Sequence, residues 1–194
     1  MKADGAGCAA LALLLACSAA PVPARGTTPG SYEPPAPSDV ERYLPLRDGD
    51  VLSYLVWQGD APQPEQVIYQ VERPSSRDAS LRAGNQLRRL TVSESSVQLV
   101  TGGTLLAAPL ELGAEWAGAA GRVRVTAVER SVDVPAGHFE GCLVTTEQNG
   151  PGPASIVTTY CPDVGIATIL VDGGEHHERF ELRSFGPRVD IDAL

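Results

Sequence analysis

The chain has 194 residues, a formal net charge of −9 and one lysine, Lys2. This acidic balance excludes electrostatic attraction to nucleic acid or to an anionic membrane face, so neither is expected as a partner on that ground. The length suggests one folded domain after the N-terminal segments. A domain of that size buries roughly 68–70% of its unfolded surface, so we expect no metal or cofactor to be needed for folding.

Residues 1–16 have the order of a secretory signal peptide, with Lys2 followed by an apolar run that ends in a small residue. The run is shorter than the roughly 20 apolar residues that span a bilayer. Its end, Leu14–Ser18, resembles a bacterial lipobox, which implies cleavage before Cys17 and attachment of lipid to the Cys17 thiol. The alternative is an ordinary signal peptide cut at an A-x-A-like site near Ala20 or Ala24. In either case Cys8 is removed with the signal.

Residues 17–38 are predicted to form a tether between the lipidated cysteine and the folded domain. The segment from Ser18 to Pro37 contains six prolines, with Pro37 as the last, among Ala, Gly, Thr and Ser, and such a segment buries too little surface to fold by itself. Where it is polyproline-like it rises ~3.1 Å per residue, which gives a reach of about 60 Å. Ser18 after the cysteine favours delivery to the outer membrane, where the protein would face the periplasm.

The chain from 39 to 186 carries the apolar periodicity of a folded domain, and 187–194 is a short C-terminal tail. Ser38 and Glu41 have capping-box spacing, which predicts a helical turn over Asp39–Leu44 that Pro45 ends. Alternating or continuous apolar runs then predict antiparallel strands. The first five are Val51–Trp57, Val67–Arg73, Gln86–Ser93, Val97–Thr101 and Thr104–Ala108.

Two polar stretches are predicted to be loops. Pro74–Gln86 is a polar loop with a turn of helix near Ala79–Ala83. Gly113–Gly121 is a loop in which Trp116 covers one end of the core. A functional alternative is that Trp116 contacts a ligand or a lid. The same alternative applies to Trp57 on the first strand.

In the predicted strand Arg122–Val134, the apolar residues have odd numbers up to Val125 and even numbers from Val128, so the side that faces the core changes between them. One extra residue near Ala127 would cause this change, which is the signature of a β-bulge or strand break. A bend at that point would help an antiparallel sheet to curl into a partial barrel.

The next hairpin allows a register argument that pairs two cysteines. If residues 150–153 form a four-residue loop, Asn149 faces Ala154, and counting back places Cys142 opposite Cys161. Directly opposed residues come within disulfide reach when the pair is a non-hydrogen-bonded one. We therefore predict a disulfide, which an oxidising compartment would permit. Two separate buried thiols and a redox-active pair are the alternatives.

Three short segments resemble a group of uncharacterised bacterial exported proteins and lipoproteins. They are Y-L-P-L-x-x-G-D-x-x-x-Y at Tyr43–Tyr54, V-P-A-G-x-F-x-x-C-L at Val134–Leu143, and Y-x-P-x-V-G at Tyr160–Gly165. The resemblance implies an antiparallel β-fold in the cell envelope and no defined reaction. Many such proteins have a small residue where Cys161 stands, so the disulfide does not follow from the resemblance.

No pattern in the chain specifies a catalytic or metal site. G-x-S-x-G, H-E-x-x-H, the P-loop and the dinucleotide fingerprint are all missing from the sequence. His176, His177 and Glu178 with His138 could suggest a metal, but adjacent residues on a strand point to opposite faces. We therefore expect no metal and no enzyme activity.

The fold expected from these patterns is all-β, with a single meandering, strongly curved antiparallel sheet of about 9–10 strands that forms a half-barrel or open barrel. The favoured function is that of a lipid-anchored structural or accessory protein of the envelope, with an envelope protein as partner. The alternative is a carrier that holds a lipid or another apolar ligand against the concave face.

Overall fold

A computed structural model of the chain describes residues 38–148, 150, 154–174 and 176–187. The predicted signal peptide, Cys17, the tether up to Pro37 and the tail from residue 188 lie outside these residues. Among the described residues, no helix is long and apolar enough to cross a membrane.

The described chain contains one short helix and twelve strands. The helix α1 is Asp39–Tyr43, and the strands are β1 Asp50–Gln58, β2 Glu65–Glu72, β3 Asp78–Ala83, β4 Gln86–Val92, β5 Ser96–Leu99, β6 Thr104–Ala107, β7 Glu115–Ala117, β8 Arg122–Val134, β9 Gly137–Gln148, β10 Ser155–Cys161, β11 Gly165–Asp172 and β12 His177–Pro187.

All twelve strands form one antiparallel sheet, which confirms the predicted fold class. The strand order is β6-β5-β4-β3-β2-β1-β12-β11-β10-β9-β8-β7. Each strand pairs with its neighbour in sequence, except that β1 pairs with β12 in the middle of the sheet and β6 and β7 are the two ends. The sheet is therefore a meander whose first and last strands meet.

The sequence did not predict two of the strands, β3 and β7. The predicted helical turn near Ala79–Ala83 is wrong, because these residues form β3, with Ala79 opposite Leu90 on β4. Small and polar residues hid its alternation, in which Ala79 is buried and Asp78 is exposed. The predicted loop around Trp116 contains β7, whose three residues pair with β8.

The helix and the bulge are found where the sequence placed them. The Ser38 hydroxyl accepts a hydrogen bond from the Glu41 amide at 3.2 Å, which caps α1. The β8–β9 register shifts first between Val125 and Ala127 and again on either side of Arg130. Glu129 adopts a left-handed conformation with φ of 51°, which side chains other than Gly, Asn and Asp seldom adopt.

The sheet curls until its two end strands come together. The Trp116 indole nitrogen on β7 donates to the Thr104 carbonyl on β6 at 3.1 Å. One buried cluster also joins residues from opposite ends of the sheet, including Leu90 and Leu106 from one side and Val125 and Leu143 from the other. The sheet therefore forms a nearly closed barrel with one seam, between β6 and β7.

Candidate functional surfaces

The predicted disulfide between Cys142 and Cys161 is present, with a Cα–Cα distance of 4.2 Å. Asn149, the predicted partner of Ala154, lies outside the described residues. The rest of the hairpin has the predicted register, from Gln148 opposite Ser155 to Leu143 opposite Tyr160. Both cysteines are fully buried. A thiol reagent or a redox partner therefore has no access to the sulfurs in the folded protein.

The three segments that carry the family resemblance meet at one end of the barrel. The Tyr43 hydroxyl at the end of α1 donates to the Gly141 carbonyl at 2.8 Å. The Asp163 amide donates to the Arg42 carbonyl at 2.7 Å. Burial raises the pKa of Tyr43, so its hydroxyl remains a donor at neutral pH. These short segments thus attach α1 to the barrel.

Gly165 is required at this junction by its backbone. Its φ is +98°, a conformation that side chains disfavour, and an added Cβ would lie 3.6 Å from the Pro45 side chain. Gly165 therefore allows the chain to turn from β10 into β11 next to Pro45, which follows α1.

The tip of the β8–β9 hairpin packs against β12. The Ala136 amide donates to the Leu182 carbonyl on β12 at 3.0 Å. The rings of Phe139 and Phe185 meet edge to face, with centroids 5.9 Å apart. The bulges in β8 allow this bend, so the hairpin tip closes over the apolar residues of β12.

Inside the barrel, two buried tyrosines bridge strands that are not neighbours. The Tyr54 hydroxyl on β1 donates to the Ile166 carbonyl on β11 at 2.9 Å, and the Tyr160 hydroxyl on β10 donates to the Leu105 carbonyl on β6 at 3.0 Å. Burial raises the pKa of both hydroxyls far above the ordinary value. They therefore stay protonated and hold the curled sheet together.

The interior of the barrel is filled by its own side chains. Leu90, Leu106, Leu143 and Leu182 are each at most 1% exposed. Every buried side-chain nitrogen and oxygen in the described part of the chain has a hydrogen-bond partner. Two surface depressions among the described residues are open ones, lined mainly by outward-facing residues of β10–β12 and of β2–β4. Neither is a closed apolar hollow of the kind that a carrier uses for an acyl chain.

The two tryptophans lie on opposite faces of the sheet and do not form one site. Trp116 points inward beside Val123 and packs against the core at the seam, which agrees with its predicted covering role. Trp57 points outward, opposite Arg179 on β12, with the guanidinium carbon 4.4 Å from the ring centroid. A cation–π contact of this kind leaves one ring face covered by arginine.

Two of the three histidines are paired with acidic side chains, at separate places. His138 lies 2.8 Å from Asp133 and 3.7 Å from Glu140 at the hairpin tip, and His177 lies 3.4 Å from Asp172. The hydrogen bond to Asp133 is the main reason that the pKa of His138 is raised. Within the described ranges no cluster of ligating side chains is suited to a metal ion.

The sequence analysis missed an apolar area on the outer face, which we call the outer patch: Leu55, Trp57, Ile68, Val157 and Leu170. Cross-strand pairing places these side chains on the side of the sheet opposite to the core. Ile68 is 48% exposed and Leu170 is 44% exposed. Strand β1 gave a signal in the sequence, since apolar residues at both parities mean that both of its faces are apolar.

Comparisons with known proteins identify no family for this chain. No protein-family model matches it, and no curated protein sequence matches it. A solved structure from Bacteroides fragilis, classed as an exported protein with a YmcC-like fold, has a TM-score of 0.48 and 10% identity over 74% of this chain and 98% of that one. A structure from Parabacteroides distasonis, classed as a lipoprotein, has a TM-score of 0.43 and 11% identity over the same shares. At these values the likeness assigns no activity.

Proposed function

We propose that the protein is a lipid-anchored accessory protein of a bacterial cell envelope, without catalytic activity. Three features support this proposal. Leu14–Ser18 has the lipobox pattern, residues 17–38 have the composition of a spacer, and the Cys142–Cys161 disulfide suits the oxidising side of a membrane. In this account the lipid on Cys17 anchors the chain to the outer membrane, and the β domain faces the periplasm.

The filled interior is the observation that favours an accessory protein over a carrier. A carrier needs space for its ligand, and preformed ligand pockets are mostly concave and apolar. Here the inward side chains from opposite ends of the sheet touch each other, and Tyr54 and Tyr160 cross the remaining space. An accessory role needs only the outer surface, which is where the exposed apolar side chains lie.

Substitution of Cys17 tests the anchor. We expect Cys17→Ser to move the exported protein from the membrane fraction to the soluble fraction, because the thiol that would carry the lipid is removed. Cys8→Ser is the matched control, since Cys8 lies within the predicted signal peptide. It should leave the membrane partition unchanged.

The opposite results would exclude the anchor. If the Cys17→Ser protein still partitions into membranes after a carbonate wash, as the unsubstituted protein does, another part of the chain holds it there. If the unsubstituted protein is soluble and begins after Ala20 or Ala24, the signal is an ordinary one.

A further inference from the structure

The outer patch is unusual because a solvent-facing sheet surface normally carries polar side chains. Trp57, Arg179, Leu170 and Val157 form one continuous cross-strand row over β1, β12, β11 and β10. Large exposed apolar areas on a soluble domain mark interaction surfaces. Ile68 and Leu170 are the most exposed of these side chains and take no part in the core.

The charges within the outer patch are balanced. Arg179 and Glu181 lie two residues apart on β12 and form an ion pair at 3.4 Å. Arg183 and Asp172 add one charge of each sign at its border. The whole chain carries −9, so two copies repel each other over most of their surfaces but not here.

We propose that the outer patch is a self-association surface on which a second copy of this chain packs face to face. In a two-fold contact the same surface is used by both copies, so each cation must find an anion of the same patch. Arg179 and Glu181 meet this requirement, because a two-fold axis that crosses β12 between them brings Arg179 of one copy opposite Glu181 of the other.

The charge pattern selects this axis over the other face-to-face arrangement. An axis parallel to β12 would bring Arg179 onto Arg179 and Glu181 onto Glu181, and directly opposed like charges are unfavourable. With the axis across the strands, the row that contains Trp57 faces the row that contains Leu55. The indole then packs on an aliphatic side chain, and the sheets lie about 10 Å apart, as in aligned sheet packing.

The size of the patch predicts a weak dimer. Five strands about 4.8 Å apart and five residues at about 3.3 Å each give an area on the order of 400 Å² per copy. A standard stable interface buries about 800 Å² per partner. We therefore expect a weak dimer in solution, with a dissociation constant on the order of 100 µM. Confinement of tethered copies to one membrane would raise their effective concentration and favour the dimer.

Sedimentation velocity of the exported, mature Cys17→Ser protein tests the inference, over about 10 µM to 1 mM. We expect a monomer at the low end and a reversible shift towards dimer at the high end. Leu170→Glu should weaken dimerisation by at least about tenfold, because it places a desolvated charge in the contact. Leu87→Glu is the matched control, since Leu87 is 40% exposed on β4, outside the outer patch, and it should leave dimerisation unchanged.

A charge exchange tests the geometry of the contact. Arg179→Glu alone should weaken dimerisation, because it sets two carboxylates against each other across the two-fold axis. The double variant Arg179→Glu, Glu181→Arg should restore it. Thermal unfolding of each variant separates loss of association from loss of the fold.

Three outcomes would overturn the inference. The first is a monomer at every concentration and also on vesicles that carry the lipidated protein. The second is a dimer that Leu170→Glu leaves intact. The third is a Leu170→Cys variant that, on cells, crosslinks to a different protein and never to a second copy.

Discussion

Leu182 and Leu170 lie on neighbouring strands of the same sheet, yet their surroundings differ completely. Leu182 on β12 is fully buried in contact with Tyr54 and Val56, whereas Leu170 on β11 is 44% exposed. The first is part of a core that determines stability, and the second contributes to a surface. Apolar character alone therefore does not distinguish a core position from a docking position in this protein.

A second region of the outer face shows what an ordinary solvent-facing surface looks like here. On β2 and β3, Glu72 accepts hydrogen bonds from Arg82 and Ser80, each at 3.2 Å. The bond from Arg82 is the main reason that the pKa of Glu72 is lowered. On β1 and β11, by contrast, the outward-facing residues Leu55, Trp57 and Leu170 are apolar and flank the charged outward side of β12.

The leucine pair should show the largest difference. We expect Leu182→Ala to lower the free energy of unfolding by about 2–5 kcal/mol, because it leaves a cavity in a filled interior. Leu170→Ala should change it by no more than about 0.5 kcal/mol. Urea unfolding followed by circular dichroism measures both, and equal losses for the two variants would show that the faces have been distinguished wrongly.

The disulfide should come next. Replacing Cys142 and Cys161 together with alanine should lower the free energy of unfolding by about 3 kcal/mol, because the bond closes a loop of this length in the unfolded chain. Urea unfolding of the double variant with and without reductant is the measurement. Reductant should destabilise only the unsubstituted protein. If the double variant unfolds at the same urea concentration as the unsubstituted protein without reductant, the bond contributes no stability.

The tyrosine bridge should have a smaller effect. Tyr54→Phe removes the donor to the buried Ile166 carbonyl, and leaving such a group unpaired costs about 1–3 kcal/mol. Tyr69→Phe is the control, because the Tyr69 ring packs edge to face against Tyr54 but its hydroxyl has no hydrogen bond within the described residues. Similar unfolding midpoints for the two variants would argue against the bridge.

The smallest effect concerns His138. Its pKa is raised by the hydrogen bond to Asp133, so the charged form stabilises the folded hairpin tip. That contribution is fully present below the unfolded-state pKa, near 6.5, and is lost as the pH rises through the folded-state pKa. An NMR titration of His138 should show the raised pKa, and Asp133→Asn should lower it. If the pKa of His138 is the same in the Asp133→Asn variant, another group raises it.

The sequence predicted the fold where side-chain alternation was clear and failed where it was not. The pairing of Cys142 with Cys161 followed from counting along one hairpin, since antiparallel register is rigid once the loop is set. Strand β3 was missed because Asp78, Ser80 and Arg82 dominate its composition.

The part of the outer patch on β10 and β11 could not be predicted from the sequence, for a different reason. Strand β11 is apolar at nearly every position from Ile166 to Val171, so its sequence does not say which residues face the core. The register shift between Thr159 and Tyr160 on β10 decides the matter, and no residue type there marks it. The closure of the barrel, which hides one face and leaves the other open, also depends on contacts between strands far apart in the chain.

Native mass spectrometry of the exported Cys17→Ser protein, purified without detergent, tests the central claim that the inner face is a filled core. We expect the bare mass of the mature chain, two hydrogens lighter than the reduced form because of the disulfide, and no adduct after incubation with a long-chain fatty acid. A stoichiometric lipid adduct that Leu182→Trp abolishes and Leu170→Trp leaves unchanged would contradict it, because the ligand would then occupy the space that the core residues fill.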